Sequence, residues 1–288
     1  MSKSLLKKLL LSAGTVALLS ACGNGSDDAA NENSGDTADS TEEETTIRIG
    51  ASNTPHAEIL EFVAPKLEEE GITLDIVSYT DYPLINSALD SGDLDANYFQ
   101  TVPYFDAEIE QNGYDFVNVG GIHIEPIAAY SQRVDSLADL EDGAEILVSS
   151  NAPDYGRILE IFQNEGLIEL EEGIDITKAT FDDIVENERN LQFETSYDPA
   201  LMVQLYDNDE GDVVFINSNF AVDNDLNPIE DSIAIQVLEN SPYANIIAVN
   251  SEDAENEAIL KLVDELHSEE TQDYILETWG GSVVPVSE

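Results

Sequence analysis

The sequence predicts an α/β protein of two lobes joined by two chain crossings. Strand-like and helix-like segments alternate from Ile47 onward, which favours mostly parallel sheets covered by helices on both faces. The alternation stops in a long extended stretch, residues 116–131, and then restarts, as expected for a second sheet. The segment "SPYANIIAV" (241–249) provides a second crossing, and two crossings make a hinge beside a cleft.

The chain begins with a segment typical of a bacterial export signal. Three lysines precede the apolar run Leu9–Ala21, which is too short to span a bilayer comfortably. The run ends in "LSAC", which contains the single cysteine, Cys22. This tetrapeptide resembles the lipobox of bacterial lipoproteins, whose cysteine is lipidated and becomes the mature N-terminus. Residues 1–21 are therefore expected to be a signal peptide, and the mature protein to be anchored by lipid at the extracytoplasmic face of the cell membrane.

Residues 22–46 are predicted to form an acidic flexible tether that starts at the lipidated Cys22. Residues 23–46 contain eight acidic residues, no basic residue and no large apolar residue. Such a segment cannot bury enough surface to offset its ordering entropy. Random-coil statistics give it a reach of roughly 25–30 Å. The alternative is an acidic tail that recruits a basic partner.

The first lobe is predicted to comprise residues 47–128 and 243–288. Apolar spacing and breakers give each element in order, including a helix with Pro65 inside it that ends at Gly71. The predicted strands are 47–52, 72–79 and 244–251, and the predicted helices are 56–71, 83–92, 105–113 and the closing segment 254–280.

The second lobe is predicted to comprise residues 129–242. The run "AEILVSS" (144–150) has the length and composition of a buried strand, and "GRILEIFQNEG" (156–166) has helical spacing and a terminal glycine. The run "DVVFINSNFA" (212–221) is predicted to be a further strand.

The charge balance excludes several classes of partner. Ten basic residues face 61 acidic ones, for a formal charge of −51. Nucleic-acid binding and electrostatic docking on anionic lipid both require clustered Lys and Arg. A net charge this far from zero keeps a protein soluble but destabilises the compact state, a combination known from halophiles. We therefore expect a saline or alkaline habitat.

The motifs of common enzymes and metal sites are absent from the sequence. It contains no Walker loop, no G-x-G-x-x-G and no nucleophile elbow G-x-S-x-G. Its three histidines lack helical partners at metal-binding spacing, so a histidine metal site is not expected. The acidic stretches 207–212 and 223–228 depart from the EF-hand order and are interpreted as solvated loops. We predict no catalytic residue, no metal and no cofactor.

Arg157 is the basic residue whose position suggests a function. It follows a predicted strand and the loop "NAPDY" and lies at the start of a predicted helix. Doubly wound sheets bind ligands at such strand ends, where free amides favour anions. A guanidinium matches a carboxylate with two parallel hydrogen bonds. The alternative is a surface ion pair, which is the reading we give Arg48, Arg133 and Arg189.

Several segments together closely resemble the NlpA lipoprotein family. They are "TDYPLINSALDSGDLDANYFQTVPYF", "GGIHIEPIAAYS", "NAPDYGR", "DIVENERNL", "INSNFA" and "SPYANIIAV". The resemblance covers roughly residues 47–288 and implies a type II periplasmic-binding-protein fold, with two hinge crossings and a ligand cleft between two lobes. It also implies the substrate-binding lipoprotein of a methionine ABC importer, which passes its ligand to a separate permease driven by a separate ATPase. We expect a monomer that binds no nucleic acid.

The resemblance further implies which residues bind the ligand. Three aromatic residues would enclose the methionine thioether, Arg157 would bind the ligand carboxylate, and two asparagine oxygens would accept from the ligand ammonium. Thr101 would also line the pocket, at a position where the family usually has histidine. The remaining predicted residues are Tyr82, Phe99, Tyr104, Asn217 and Asn245.

The departures from the family pattern leave the exact ligand open. Thr101 lacks the imidazole, Asp154 and Tyr155 change the loop before Arg157, and Ala200 stands where the family has a second arginine. Another amino acid or a methionine-containing dipeptide is therefore the alternative ligand. An adhesin that has lost the pocket is a more distant alternative, and an enzyme on the same fold is the least supported.

Overall fold

The computed structural model describes residues 45–286. The predicted signal peptide, Cys22 and nearly all of the predicted tether lie outside these residues. The first strand, β1 (Thr45–Ser52), includes Thr45 and Thr46, which were predicted to be the last two residues of the tether. Across 45–286, none of the helices has the length and apolar character needed to cross a membrane.

Strands and helices alternate in the first part of the described chain. The helices form where apolar residues recur at helical spacing. In α1, for example, the buried face consists of Ile59, Leu60, Val63 and Leu67. After β1 the elements are α1 (Glu58–Glu69), β2 (Ile72–Tyr79), α2 (Tyr82–Asp90), β3 (Ala96–Thr101), α3 (Val102–Asn112) and β4 (Phe116–Ile124).

The middle of the chain forms a second series of elements, and the C-terminal part follows it. In chain order these elements are β5 (Ala128–Tyr130), β6 (Glu145–Ser149), α4 (Tyr155–Asn164), β7 (Glu169–Leu170), β8 (Ile184–Glu186), β9 (Gln192–Tyr197), α5 (Met202–Asp207), β10 (Val213–Ile216), α6 (Ser218–Asp223), β11 (Ala234–Ile235), β12 (Ala244–Asn250), α7 (Glu257–Leu266), α8 (Glu269–Trp279) and β13 (Val284–Pro285).

Two mixed sheets form the centres of the two lobes. The first has six strands in the order β13-β4-β12-β3-β1-β2, and the second has five in the order β11-β5-β10-β6-β9. Pairing is parallel within β2-β1-β3 and within β10-β6-β9. It is antiparallel for the strands next to the crossings, β4, β12, β5 and β11. The prediction of mostly parallel sheets is therefore wrong for these strands, because the chain leaves and re-enters the first lobe along neighbouring strands.

Two short segments connect the sheets and form the hinge. Residues 125–127 link β4 to β5, and residues 236–243 link β11 to β12. Ala128 pairs with Ile216 and Ile235 in the second sheet, so this sheet begins one residue before the predicted lobe boundary. Because both crossings lie at one side of the sheets, the strand ends of the two lobes face a common cleft.

Apolar side chains cover both faces of each sheet. In the first lobe, α1 and α7 pack on one face, while the other face carries α2 and α3. In the second lobe, α4 packs on one face through Ile158, Leu159 and Phe162, and α5 and α6 pack on the other. The helices on each face fix the strand ends, and the strand ends position the residues of the cleft.

Candidate functional site

A cavity of about 400 Å³ lies between the two lobes, where strands of both sheets end. All seven ligand-binding residues predicted from the sequence line this cavity. The lining residues are His56, Tyr82, Phe99, Thr101, Tyr104, Glu125, Asn151, Asp154, Arg157, Asn217, Ser218, Asn219 and Asn245.

Three aromatic rings of the first lobe form one wall of the cavity. Tyr82 begins α2, Phe99 lies on β3, and Tyr104 lies in the first turn of α3, which follows β3 directly. The ring centroid of Tyr82 is 5.7 Å from that of Phe99 and 6.0 Å from that of Tyr104. Burial raises the pKa of Tyr82 well above its usual value, so the hydroxyl stays protonated. It donates to Asn219 Oδ1 of the second lobe at 2.8 Å.

Arg157 lies at the opposite side of the cavity, buried in the first turn of α4. Its Nε and Nη2 both donate to Asp154 Oδ1, at 2.9 and 2.5 Å. Asp154 Oδ2 accepts from Asn151 Nδ2 at 2.6 Å and from Asn217 Nδ2 at 2.9 Å. The guanidinium charge is thus balanced by a neighbouring carboxylate, and the prediction of a surface ion pair does not apply to this arginine.

Both hinge segments contact the same guanidinium. Arg157 Nη1 donates to the carbonyl of Glu125 at 3.1 Å and to Gln236 Oε1 at 3.3 Å. The ring of Tyr243 lies 4.8 Å from Cζ of Arg157, within the range of a cation–π contact. A group that binds Arg157 therefore binds a residue whose position depends on both crossings.

Asn217, which lines the cavity, carries an unsatisfied buried acceptor. It follows β10 and precedes α6, and it is 7% exposed. Because its Nδ2 donates to Asp154, its Oδ1 is the free atom of the amide, and within residues 45–286 this oxygen has no hydrogen-bond partner. An unpaired buried acceptor costs roughly 1–3 kcal/mol, so a donor on a bound molecule would be stabilised there.

Asn245 lines the cavity and is hydrogen-bonded to a histidine beside it. It lies on β12, in register with Thr101 on β3 and His123 on β4. Its Oδ1 is 3.0 Å from Nε2 of His56. An amide oxygen has two lone pairs, so acceptance of a second hydrogen bond from a ligand ammonium stays a prediction.

A buried cluster of two histidines and a carboxylate lies beside Asn245. Glu125 Oε1 is 2.8 Å from His123 Nε2 and 3.3 Å from His56 Nε2. Burial lowers the pKa of His56 to about 4 and that of His123 to about 3, so both rings are neutral near pH 7. Burial raises the pKa of Glu125, and His56, Arg157 and the Asn219 backbone N–H oppose the rise. The ligating atoms of the three groups lie within 4.8 Å of one another, close enough to hold a metal ion.

Further contacts join the two lobes at the mouth of the cleft. The turn before α1 reaches Asp223 of α6 through Asn53 Nδ2 and Thr54 Oγ1, each at 3.4 Å. Together with the hydrogen bond from Tyr82 to Asn219, these contacts hold the lobes in a closed arrangement.

The family departures named above have distinct positions. Thr101 lines the cavity, and Asp154 both lines it and binds Arg157. Tyr155 packs on Phe181 with ring centroids 4.8 Å apart, and Ala200 is not among the residues that line the cavity. Two of the four departures thus change the pocket itself.

Six lining residues were not predicted from the sequence. Asp154 was noted only as a departure from the family loop. His56 and Glu125 were missed, as was His123, which is buried beside them but does not line the cavity. The three residues come from the turn before α1, from the first crossing and from β4, so they share no local spacing in the sequence. The other missed residues are Asn151, Ser218 and Asn219.

The chain is similar to several known lipoproteins in sequence and in fold. The chain is 43% identical to methionine-binding lipoprotein MetQ of Bacillus subtilis strain 168, over 84% of this chain and 88% of that one. The crystal structure of a pheromone cOB1 precursor/lipoprotein of the YaeC family from Enterococcus faecalis V583 has 55% identity and a TM-score of 0.82, covering 84% of this chain and 100% of that chain.

A nutrient binding protein from Burkholderia cenocepacia, solved bound to methionine, has 36% identity and a TM-score of 0.77. It too matches 84% of this chain and 100% of its own. These structures confirm the predicted two-lobed α/β fold. The family model for NlpA lipoprotein matches residues 47–287, and the chain therefore belongs to the NlpA lipoprotein family.

Proposed function

We propose that this protein is the extracytoplasmic substrate-binding lipoprotein of an ABC importer and that it captures methionine between its two lobes. The observation that carries the proposal is the unpaired buried Oδ1 of Asn217, in an interlobe cavity that also contains Arg157. Membership of the family supports it, as does the methionine bound to the Burkholderia cenocepacia relative.

The site offers complementary groups to each part of a methionine zwitterion. Nη2 of Arg157 carries a second hydrogen besides the one donated to Asp154, and Nδ2 of Asn245 is a further donor, so both would bind the carboxylate. Asn217 Oδ1 would accept from the ammonium. The thioether would lie against the aromatic wall, where each sulfur–ring contact contributes about 0.3–1.5 kcal/mol.

Ligand binding would favour the closed lobes. The aromatic wall and Asn245 belong to the first lobe, whereas Arg157 and Asn217 belong to the second. A ligand that contacts both lobes binds the closed state more tightly and shifts the population toward it. The closed form would then dock on a membrane permease that is driven by a separate ATPase.

The proposal also includes the anchor and the division of the chain. Cys22 would carry the lipid and residues 23–44 would form the tether to the first strand. The lobes would comprise 45–127 with 243–288, and 128–242, since the first strand begins at Thr45 and Ala128 pairs within the second sheet. We propose a monomer without catalytic residues.

Substitution of Arg157 tests the proposed function. Titration calorimetry should show tight methionine binding by the wild type and at least 100-fold weaker binding by Arg157→Ala, because the ligand carboxylate would be buried without its partner. Arg133→Ala is the matched control, since Arg133 is an exposed arginine paired with Asp209 and Asp212 away from the cavity.

Melting temperatures of both variants show whether each is folded before its affinity is interpreted. Unchanged methionine affinity in a folded Arg157→Ala would contradict the role of this residue. If amino acids and short peptides all fail to shift the wild-type melting temperature, the transport proposal falls and an adhesin with a lost pocket becomes the better reading.

A larger amino acid or a methionine-containing dipeptide is the second candidate ligand. A neighbouring cavity of about 780 Å³ shares Tyr82, Tyr104 and Asn151 with the first, so space continues past the aromatic wall. Thr101 is also smaller than the imidazole usual in the family. Native mass spectrometry of the purified protein would separate the candidates by the mass of the ligand that co-purifies.

A further inference from the structure

Glu125 is a buried carboxylate that lines the cavity from the first hinge crossing, with 6% of its surface exposed. We propose that Glu125 is the anion that binds the ligand ammonium, so that the receptor selects ligands with a free amino group over N-acylated or hydroxy analogues. This inference rests on the proposed function and deepens it.

Two buried hydroxyl groups fix the proton positions in the histidine cluster. Tyr98 is fully buried, and its hydroxyl is hydrogen-bonded to Nδ1 of His123. Ser52 Oγ is 2.6 Å from Nδ1 of His56. A buried hydroxyl hydrogen needs an acceptor, so each hydroxyl donates to Nδ1, and the neutral ring then carries its hydrogen on Nε2.

Nε2–H of His123 therefore donates to Glu125 Oε1 at 2.8 Å, whereas Nε2–H of His56 donates to Asn245 Oδ1 at 3.0 Å and lies beside Glu125 Oε1, 3.3 Å from the nitrogen. The backbone N–H of Asn219, in the first turn of α6, donates to the same carboxylate. These two donors favour the ionised form of the carboxyl group against the effect of burial, which raises its pKa, and they leave no acceptor for a carboxyl hydrogen on those sides. A carboxylate offers about four lone-pair positions, so positions remain for a donor in the cavity.

The charge balance of the cavity points to the same residue. Arg157 and Asp154 compensate each other through two hydrogen bonds, and His56 is neutral. The charged groups that line the described cavity are thus two carboxylates, Asp154 and Glu125, and one guanidinium, which leaves one negative charge in excess. A ligand ammonium would balance that charge.

His56 orients the second ligand contact. Nε2 of His56 lies 3.3 Å from Glu125 Oε1 and donates to Asn245 Oδ1 at 3.0 Å. This hydrogen bond fixes the orientation of the Asn245 amide, whose Nδ2 remains a donor. The ammonium and carboxylate contacts are thus set by one connected network.

Calorimetry with a pair of ligands tests the inference. Wild-type protein should bind L-methionine at least 100-fold more tightly than N-acetyl-L-methionine, because acetylation removes the charge that Glu125 binds. Glu125→Gln should weaken L-methionine binding by about 10- to 100-fold and N-acetyl-L-methionine binding far less, so the ratio of the two affinities should fall at least tenfold. Glu265→Gln should leave the ratio unchanged, since Glu265 is a partly buried carboxylate paired with Lys66 outside the cavity.

A wild type that binds both ligands equally would overturn the inference while leaving the receptor function intact, and so would an unchanged ratio in Glu125→Gln. If Glu125→Gln does not fold, the wild-type comparison, extended to the 2-hydroxy analogue of methionine, decides alone. A wild type that binds no amino acid or peptide would overturn the proposed function, and the inference with it. One zinc ion per chain by elemental analysis, lost on chelation, would make the cluster a metal site and would also overturn the inference.

Discussion

At the scale of single residues, the scarcity of basic groups makes each arginine informative. Arg48 pairs with Asp75 at 3.3 Å, and Arg133 pairs with Asp209 and Asp212, as expected of surface ion pairs. Arg189 instead donates to the backbone carbonyls of Ala138 and Leu140 at 2.8 Å each. Arg157 is the buried one of the four, which excludes a surface ion pair, one of the two alternatives that its position at a strand-to-helix junction had left open.

What the sequence could not predict at this scale is the direction of the polar atoms. Asn217 and Asn245 were expected to play the same part, yet Asp154 accepts from Nδ2 of Asn217 and leaves its oxygen unpaired, whereas the oxygen of Asn245 is hydrogen-bonded to His56. Such orientations depend on partners that are tens to more than a hundred residues away in the chain. They follow from hydrogen-bond partners, which local spacing does not encode.

The neutral histidines give stability a defined dependence on pH. His123 has a folded pKa of about 3 because of burial, whereas an unfolded histidine titrates near 6.5. Below about pH 6.5 the unfolded chain therefore binds a proton that the folded chain does not, and stability falls as pH decreases from 6.5 toward 3. Glu125, whose pKa is raised, acts in the opposite direction above about pH 4.5.

We expect wild-type melting temperature to fall more steeply than that of His123→Gln between pH 6.5 and 4.5. Thermal unfolding followed by circular dichroism in 1 M NaCl measures this, since salt reduces the separate effect of carboxylate repulsion. Parallel pH profiles for the two proteins would show that His123 is not neutral in the folded state.

At the scale of elements, strand and helix segments with strong apolar periodicity were predicted well, and the exceptions have physical causes. The run 212–221 was predicted to be one strand, but β10 ends at Ile216 and α6 begins at Ser218. Asn217 separates them with an extended backbone, a conformation and residue type typical of a helix N-cap. This early end places Asn217 at the cavity. Strands β3 and β9 had no separate prediction because their polar residues interrupt the apolar pattern.

The start of α4 depends on a glycine next to Arg157. A Cβ atom added to Gly156 would lie 1.6 Å from the carbonyl oxygen of Ile176, a backbone atom that cannot rotate away. Gly156→Ala must therefore displace α4 or the turn 176–178. We expect a loss of several kcal/mol in stability and, in any folded fraction, weakened ligand binding, because Arg157 moves with the helix.

Gly121→Ala is a suitable control for this prediction. Gly121 is a half-buried glycine of β4, and the nearest atom to an added Cβ would be Ala244 Cβ at 3.5 Å, an ordinary contact. Chemical denaturation of both variants gives the comparison. Equal stabilities would mean that α4 and the turn adjust more readily than the geometry allows.

At the scale of the whole molecule, the two-lobed arrangement was predictable because the alternation of elements stops and restarts. The antiparallel pairing next to the hinge was not predictable from that alternation, since the direction of a strand depends on where the chain crosses between sheets. The cleft depends both on the alternation of elements and on contacts between distant parts of the chain. Its strand ends follow from the alternating pattern, and its closure depends on contacts such as that of Tyr82 with Asn219.

The acidic excess should make the stability of the whole fold depend on salt. If the signal peptide is removed, seven basic residues face 61 acidic ones, a balance of −54. Repulsion among these charges opposes folding, and the Debye length shortens from about 10 Å at 0.1 M salt to about 3 Å at 1 M. We therefore expect the melting temperature of the mature chain to rise with NaCl, most steeply below about 0.5 M, where added salt changes the screening most.

Differential scanning calorimetry at pH 7.5 from 0.05 to 2 M NaCl measures this rise. NaCl and NaClO₄ at equal ionic strength form the control, because screening depends on ionic strength whereas specific anion effects on apolar hydration differ between the two salts. Agreement between them below 0.5 M would assign the rise to screening. A melting temperature that stays constant or falls over that range would show that the carboxylates are too far apart, or too well paired, to destabilise the fold, and the expected saline or alkaline habitat would lose its physical basis.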